Sequence, residues 1–208
     1  MPCAAARDFR HDPPIVWPKA PDRPRIRYIG ELTGEESLGA RRGGWAAFRA
    51  ALTGVEPTVA FSTPTAVEIV GERVYVVDRD RRAVFVLNLE ARTFDSITTA
   101  AGSPFEWLSD IAIVDDMIAV TDSRRAAIFL FDADGQFVRT IGDGLLDRPT
   151  GIAWLAAAGE LWVLDTAVHA CLVFDIDGTL LRSIGRRGGA AGEFNSPTGL
   201  THAAAVGT

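Results

Sequence analysis

The chain has 208 residues, 48% hydrophobic and 23% charged, with a net charge of −6 and a pI of about 5.1. This is the composition of an ordinary globular protein that can bury a core, and no run is long and apolar enough to span a bilayer as a helix. The acidic balance argues against a general polyanion binder, because non-specific nucleic-acid affinity comes from Lys and Arg neutralising phosphates.

Residues 1–24 predict an irregular, proline-rich leader, since Pro13, Pro14, Pro18, Pro21 and Pro24 follow no packing period. The N-terminus lacks the apolar stretch of a secretory signal. A trimmed leader would leave Cys3 as a lipid acceptor, whereas Cys171 reads as a buried apolar thiol. Two cysteines are too few for a disulfide framework. Residues 25–62 predict a strand, a connection and a short helix. The strand covers 25–32, where Ile26 and Tyr28 alternate with Arg25, Arg27 and Ile29. A polar connection follows over 33–44, and Trp45, Phe48, Ala51 and Leu52 then recur at helical spacing up to Gly54. Residues 58–62 read as a short strand.

Residues 63–208 carry a repeat. Asp78, Asp122 and Asp165 each close a short apolar run, VYVVD, IAVTD and LWVLD, at spacings of 44 and 43 residues. Downstream, Val84, Ile128 and Cys171 share one register, as do Leu87, Phe131 and Phe174, and then Ile97, Ile141 and Ile184. Forty-odd residues of short apolar runs and turns make one blade of a β-propeller. The predicted fold class is therefore all-β: a propeller of four-stranded antiparallel blades over about 65–98, 108–142 and 150–185, with part of a fourth over 196–208. SPTGL at 196–200 repeats RPTGI at 148–152, and the next repeat aspartate would fall past Thr208, so the chain is expected to end inside blade four.

The three aspartates are expected to accept backbone N–H bonds from the turn that follows each of them. Blade symmetry spreads such copies around a ring, which disfavours a shared metal or acid role. In a four-stranded meander (strands A to D), the B–C and D–A connections share one face, and A–B and C–D share the other. The first face receives Arg79, Arg81, Arg82, Arg124, Arg125, Arg148, Arg186, Arg187 and His169 against Asp80, Asp143, Asp147 and Glu193. The second receives mainly Glu72, Glu90, Asp115, Asp116, Asp134, Glu160 and Asp177. Such an asymmetry would steer an anionic partner to the basic side, and Arg81, Arg82, Arg124, Arg125, His169, Arg186 and Arg187 are the predicted partner-binding residues. Trp107, Trp154 and Trp162 read as packing residues. No zinc-like Cys/His spacing and no G-x-S-x-G occur, and GRRGG lacks the Lys-Ser/Thr ending of a phosphate loop. Neither a metal nor a cofactor is predicted, and the reading leans away from an enzyme.

The third repeat, PTGIAW…LWVLD…LVFDIDGTLLRSIG, resembles the NHL-repeat family, and the second, IAVTD…IFLFDADGQFVRTIG, is similar. The first has Glu90-Ala91 where the others have Asp-Gly. The resemblance covers about residues 64–200. It implies a six-bladed propeller, often an exported, periplasmic or lipid-anchored protein, acting as a binding scaffold for a protein or carbohydrate. Two alternatives accompany it. One is a metal-dependent lyase or lactonase-like enzyme with an axial-channel site. The other is RNA binding through the basic loop face. Family members usually carry Asn-x-Arg after the repeat aspartate, where this chain has Arg81-Arg82, Arg124-Arg125 and Val168-His169.

Overall fold

A computed structural model describes residues 13–28, 30–39 and 58–201. The helix predicted at 45–52, Cys3 and the stretch beyond residue 201 lie outside the described residues. The chain divides into two compact units, Met1–Ala60 and Phe61–Thr208.

In the first unit, Val16–Trp17 (β1) pairs antiparallel with Ile26–Arg27 (β2), Val16 opposite Arg27. The strand expected over 25–32 is thus two residues long, and the leader expected to be irregular supplies its partner. Pro18, Pro21 and Pro24 lie between the two strands; proline has no N–H for a ladder, so the pairing stays short. The expected connection contains a 3-10 turn, Glu35–Leu38, closed by Gly39 in the left-handed region. The strand expected at 58–62 reduces to a bridge between Ala60 and Gly34, supported by the Glu35 N–H donating to the Val59 carbonyl at 2.9 Å.

The second unit holds three four-stranded antiparallel sheets, each a meander in chain order. The first contains Pro64–Val70 (β3), Arg73–Asp78 (β4), Ala83–Asn88 (β5) and Thr93–Ile97 (β6). A small hairpin of Thr99–Ala100 (β7) and Ser103–Pro104 (β8), not foreseen from the sequence, follows it. The second sheet contains Leu108–Val114 (β9), Met117–Asp122 (β10), Ala127–Phe131 (β11) and Phe137–Ile141 (β12). The third contains Pro149–Leu155 (β13), Glu160–Asp165 (β14), Ala170–Phe174 (β15) and Leu180–Ile184 (β16). The C–D turns are local constructions. Asn88 Oδ1 accepts the N–H groups of Glu90 and Ala91, Asp132 Oδ1 those of Asp134 and Gln136, and Asp175 Oδ1 that of Thr179.

The sheets stack face to face as blades, and side-chain alternation serves two cores at once. From the second blade, Ile111, Ile118, Val120, Phe129 and Phe131 pack with Tyr75, Val77 and Val84 of the first. The intervening Ala112, Val114, Ala119, Ile128 and Leu130 pack with Leu161, Val163, Leu172 and Phe174 of the third. A strand buried on both faces must be apolar at nearly every position, as VYVVD and AIFLF are. Each fully buried Leu, Ile or Phe contributes about 1.5–3 kcal/mol. On the far side of the third blade, Phe194 lies against Gly185, and the Pro197 carbonyl accepts the Thr166 hydroxyl at 2.6 Å. Residues 196–200 form no regular strand, yet this bond repeats the one from the Ser123 hydroxyl to the Pro149 carbonyl at the preceding blade boundary.

Candidate binding face

Each repeat aspartate is fully buried and holds two loops. Asp78 accepts the backbone N–H groups of Ser62, Thr63 and Arg81 at 2.6–3.1 Å. Asp122 accepts those of Glu106, Trp107, Arg124 and Arg125 at 2.7–3.1 Å. Asp165 accepts those of Asp147, Arg148, Ala167 and Val168 at 2.7–3.2 Å. One set of donors comes from the B–C turn. The other, which the sequence reading did not anticipate, comes from the segment leading into strand A of the same blade. Four residues after each aspartate, Arg82, Ala126 and His169 adopt positive φ of 51°, 51° and 56°. Encircled by N–H donors, these carboxylates are braces for the loops.

A second set of bonds ties blade to blade on this face. Ser109 and Ser123 share a hydrogen bond of 2.7 Å, and so do Thr150 and Thr166. Ser123 and Thr166 then donate to the prolines that open the following segment, Pro149 and Pro197. The first blade has Arg79 at this register. Its guanidinium carbon lies 4.9 Å from the centre of the Trp107 ring, and its Nε is buried without a hydrogen-bond partner. The first boundary is therefore spanned by a cation–π contact.

The predicted basic set divides. Arg125 is committed to the fold: its Nη1 donates to the Ala100 carbonyl at 3.0 Å, and its guanidinium carbon lies 4.2 Å from the Phe129 ring centre. It pins the β7–β8 hairpin to the second blade. Arg186 pairs with Glu193 at 2.9 Å, and the bond from the Ala190 N–H, with this pairing second, holds the Glu193 carboxyl below the usual range. His169 Nδ1 accepts the Ser196 N–H at 3.0 Å. These three, predicted as partner-binding, are engaged within the chain. Arg81, Arg82, Arg124 and Arg187 are exposed, and among the described residues their guanidinium groups make no ion pair or hydrogen bond.

Between the second and third blades this face opens into a cleft of about 500 Å³, lined by Trp107, Ser123, Arg124, Asp147, Arg148 and Thr150. Trp107, expected to be a packing residue, is 45% exposed. Arg148 was placed on the face but not in the binding set. Trp107 and Arg148 both stand immediately before strand A, at the register of Thr63, so aligning the lead-in segments would have put them side by side. On the opposite face, two of the acids are ion-paired. Glu160 binds Arg182 at 2.6 Å, which holds the Glu160 carboxyl below its ordinary range, and Asp177 binds Arg139 at 2.8 Å.

Towards the hub, Glu68, Ala112, Asp115, Ile152, Trp154 and Leu200 line a cavity of about 370 Å³. Asp110 lies on the same strand layer, at the register of Gly151, and accepts the N–H of Ile152 across the blade boundary at 3.0 Å. Burial pushes the Asp110 carboxyl up, against the pull of its bonds from the Ile152 and Ile111 N–H groups. Burial also raises Glu68, and the charge of Asp110 adds to this. Among the described residues no group of three His, Cys, Asp or Glu could hold a metal ion.

No family model matches the chain, and no curated protein does. Solved structures do. The hydrazine synthase of Kuenenia stuttgartiensis is similar at a TM-score of 0.55 and 13% identity, over 71% of this chain and 41% of that one. A catalytically inactive virginiamycin B lyase from Staphylococcus aureus gives 0.55 and 13%, over 66% and 44%. The WD40 repeats of RRP9 give 0.50 and 15%, over 58% and 38%. The fold is that of a β-propeller. The matched region spans about two fifths of the length of these propellers, and at such identities the likeness carries the fold alone.

Proposed function

We propose that this chain belongs to an NHL-type propeller that works as a non-catalytic binding scaffold outside the cytoplasm, docking an acidic protein partner on its B–C/D–A loop face. The NHL-like repeats, PTGIAW…LWVLD above all, support the family, and the exported setting rests on the likeness of the leader, with IVWP and RIRYIG, to the start of bacterial NHL-type proteins. The observation that carries the docking face is electrostatic. Arg81, Arg82, Arg124 and Arg148 stand on segments braced by buried aspartates, Arg187 lies on the loop after β16, and the guanidinium groups of all five make no ion pair among the described residues, whereas Arg139 and Arg182 elsewhere are ion-paired. Free guanidinium groups on a rigid frame suit carboxylates, which they bind bidentately.

The test uses poly-L-glutamate at low ionic strength as the probe. Reversing Arg81, Arg82, Arg124 and Arg187 to Glu should abolish binding, while Arg139→Glu should leave it intact. Equal binding by the quadruple variant and the parent would remove this face from consideration.

A further inference from the structure

We infer that the cleft between the second and third blades is a recognition subsite for an extended acidic peptide segment of a partner protein, in which a carboxylate side chain is followed by an apolar one. This rests on the loop-face reading above and narrows it to one place and one ligand chemistry. Three features of the cleft lead there.

The first is charge. Arg124 comes from the second blade and Arg148 from the lead-in to the third, and neither guanidinium has a partner among the described residues. Arg79 adds a third positive charge behind the Trp107 ring, at 4.9 Å. Asp147 is the opposing acid in the lining. The balance favours a carboxylate. The acid at the rim works against a continuous polyanion such as RNA, whose phosphates would crowd it.

The second is the indole. Trp107 is 45% exposed, and Arg79 already covers one face of its ring. The remaining ring surface is the apolar floor for a neighbouring side chain. The hydroxyl protons in the lining are already given within the chain: Ser123 donates to the Pro149 carbonyl and Thr150 to Thr166. With no hydroxyl donor left over, the free donors of the cleft are the guanidinium groups, which suit a peptide carboxylate.

The third is rigidity. The backbones of Trp107 and Arg124 are fixed by Asp122, and that of Arg148 by Asp165. The ordering cost of these backbones is met on folding, which leaves the rotamer freedom of the two arginine side chains as the part lost on binding. A cleft of about 500 Å³ is of the size that accepts a few side chains.

The experiment uses the full chain and four probes: an end-blocked hexapeptide of alternating Glu and Leu, the same peptide with Gln for Glu, polygalacturonate, and oligouridylate. Binding is read by calorimetry and by tryptophan emission. The Glu peptide should bind and the Gln peptide should not. The Arg124→Ala/Arg148→Ala double variant should weaken the Glu peptide about tenfold or more, as loss of charge-assisted bidentate contacts does. Trp107→Ala should weaken it similarly, with Trp107→Phe retaining part of the affinity. Arg81→Ala/Arg82→Ala, on the same face but outside the cleft, should have little effect. Thermal melts of each variant report whether the fold is kept. If only Arg81→Ala/Arg82→Ala weakens binding, the cleft is wrong and the loop face stands. If neither pair matters, both readings fall. Equal binding of the Gln peptide overturns the carboxylate, and cleft-dependent preference for polygalacturonate or oligouridylate overturns the peptide.

Discussion

The backbone N–H groups of Trp107 and Arg124 converge on one atom, Oδ1 of Asp122, at 3.0 and 3.1 Å. The aromatic floor and one cationic rim of the cleft therefore hang from a single buried carboxylate. That carboxylate also takes the Glu106 and Arg125 N–H groups.

Removing it should be expensive. Asp122→Ala leaves four backbone donors unpaired next to the core, at about 1–3 kcal/mol for each group that water does not reach. A loss of more than about 3 kcal/mol in denaturant unfolding is expected. Asp122→Asn, which keeps one oxygen acceptor, should lose less. A loss for Asp122→Ala equal to that of an exposed substitution would contradict the bracing role.

Neighbouring arginines should behave oppositely. Arg125→Ala removes a charge-assisted bond to the Ala100 carbonyl and the contact with Phe129, at a cost of about 1.5–3 kcal/mol. Arg124→Ala removes no side-chain hydrogen bond or ion pair among the described residues and should stay within about 0.5 kcal/mol. Chemical denaturation of the two single variants decides, and equal values would sink the division of the basic set.

The hub carboxyl Asp110 makes a pH prediction. Its folded pKa lies above its ordinary value of 3.8 because burial disfavours the charge. The folded state therefore holds this proton more tightly than the unfolded one. The stability it contributes is fully present below about pH 4 and is lost as pH rises through the folded value. The stability of the parent relative to Asp110→Asn should accordingly fall as pH rises from 3.5 to 7 in parallel urea titrations. A parent that gains stability relative to the variant over that range would reverse the assignment. Glu160 and Glu193 have lowered values and act in the opposite direction, their contribution disappearing as pH falls below about 4.5.

Two glycines after strand D should resist substitution. Gly142 and Gly185 share a register and have φ of 79° and 88°, and a Cβ on either would run into Leu146 or Phe194. Left-handed backbone costs an alanine about 1–2 kcal/mol before any clash is counted. Gly142→Ala and Gly185→Ala should each lose more than about 2 kcal/mol. Gly144→Ala, at φ of 72° but with open space around it, should show the backbone cost alone. Melting curves of the three variants give the comparison.

Blade structure was legible because its determinants are local. VYVVD and its copies alternate into two cores, and the Asp134-Gly135 and Asp177-Gly178 pairs mark hairpins within a few residues of themselves. The β7–β8 hairpin escaped notice because two-residue strands have no periodicity to read. The two-residue extent of β2 escaped because its partner lies across a proline-rich loop. Trp107 reads as a packing residue because its apolar character is visible in sequence, whereas its position on the loop face depends on where the lead-in segment bends.

From its amino acids alone, this protein was committed to a row of four-stranded antiparallel sheets and to a surplus of arginine on one set of turns. Strand alternation and turn chemistry act over two to five residues, so the linear order suffices to specify them. Only the stacking of blades decided which arginines are spent and which are free. Arg125 finds its carbonyl 25 residues back, His169 meets Ser196 27 residues ahead, and Arg79 lies over Trp107 of the next sheet. Those distances close only once the sheets have packed, and side chains with a partner there are no longer available to a ligand.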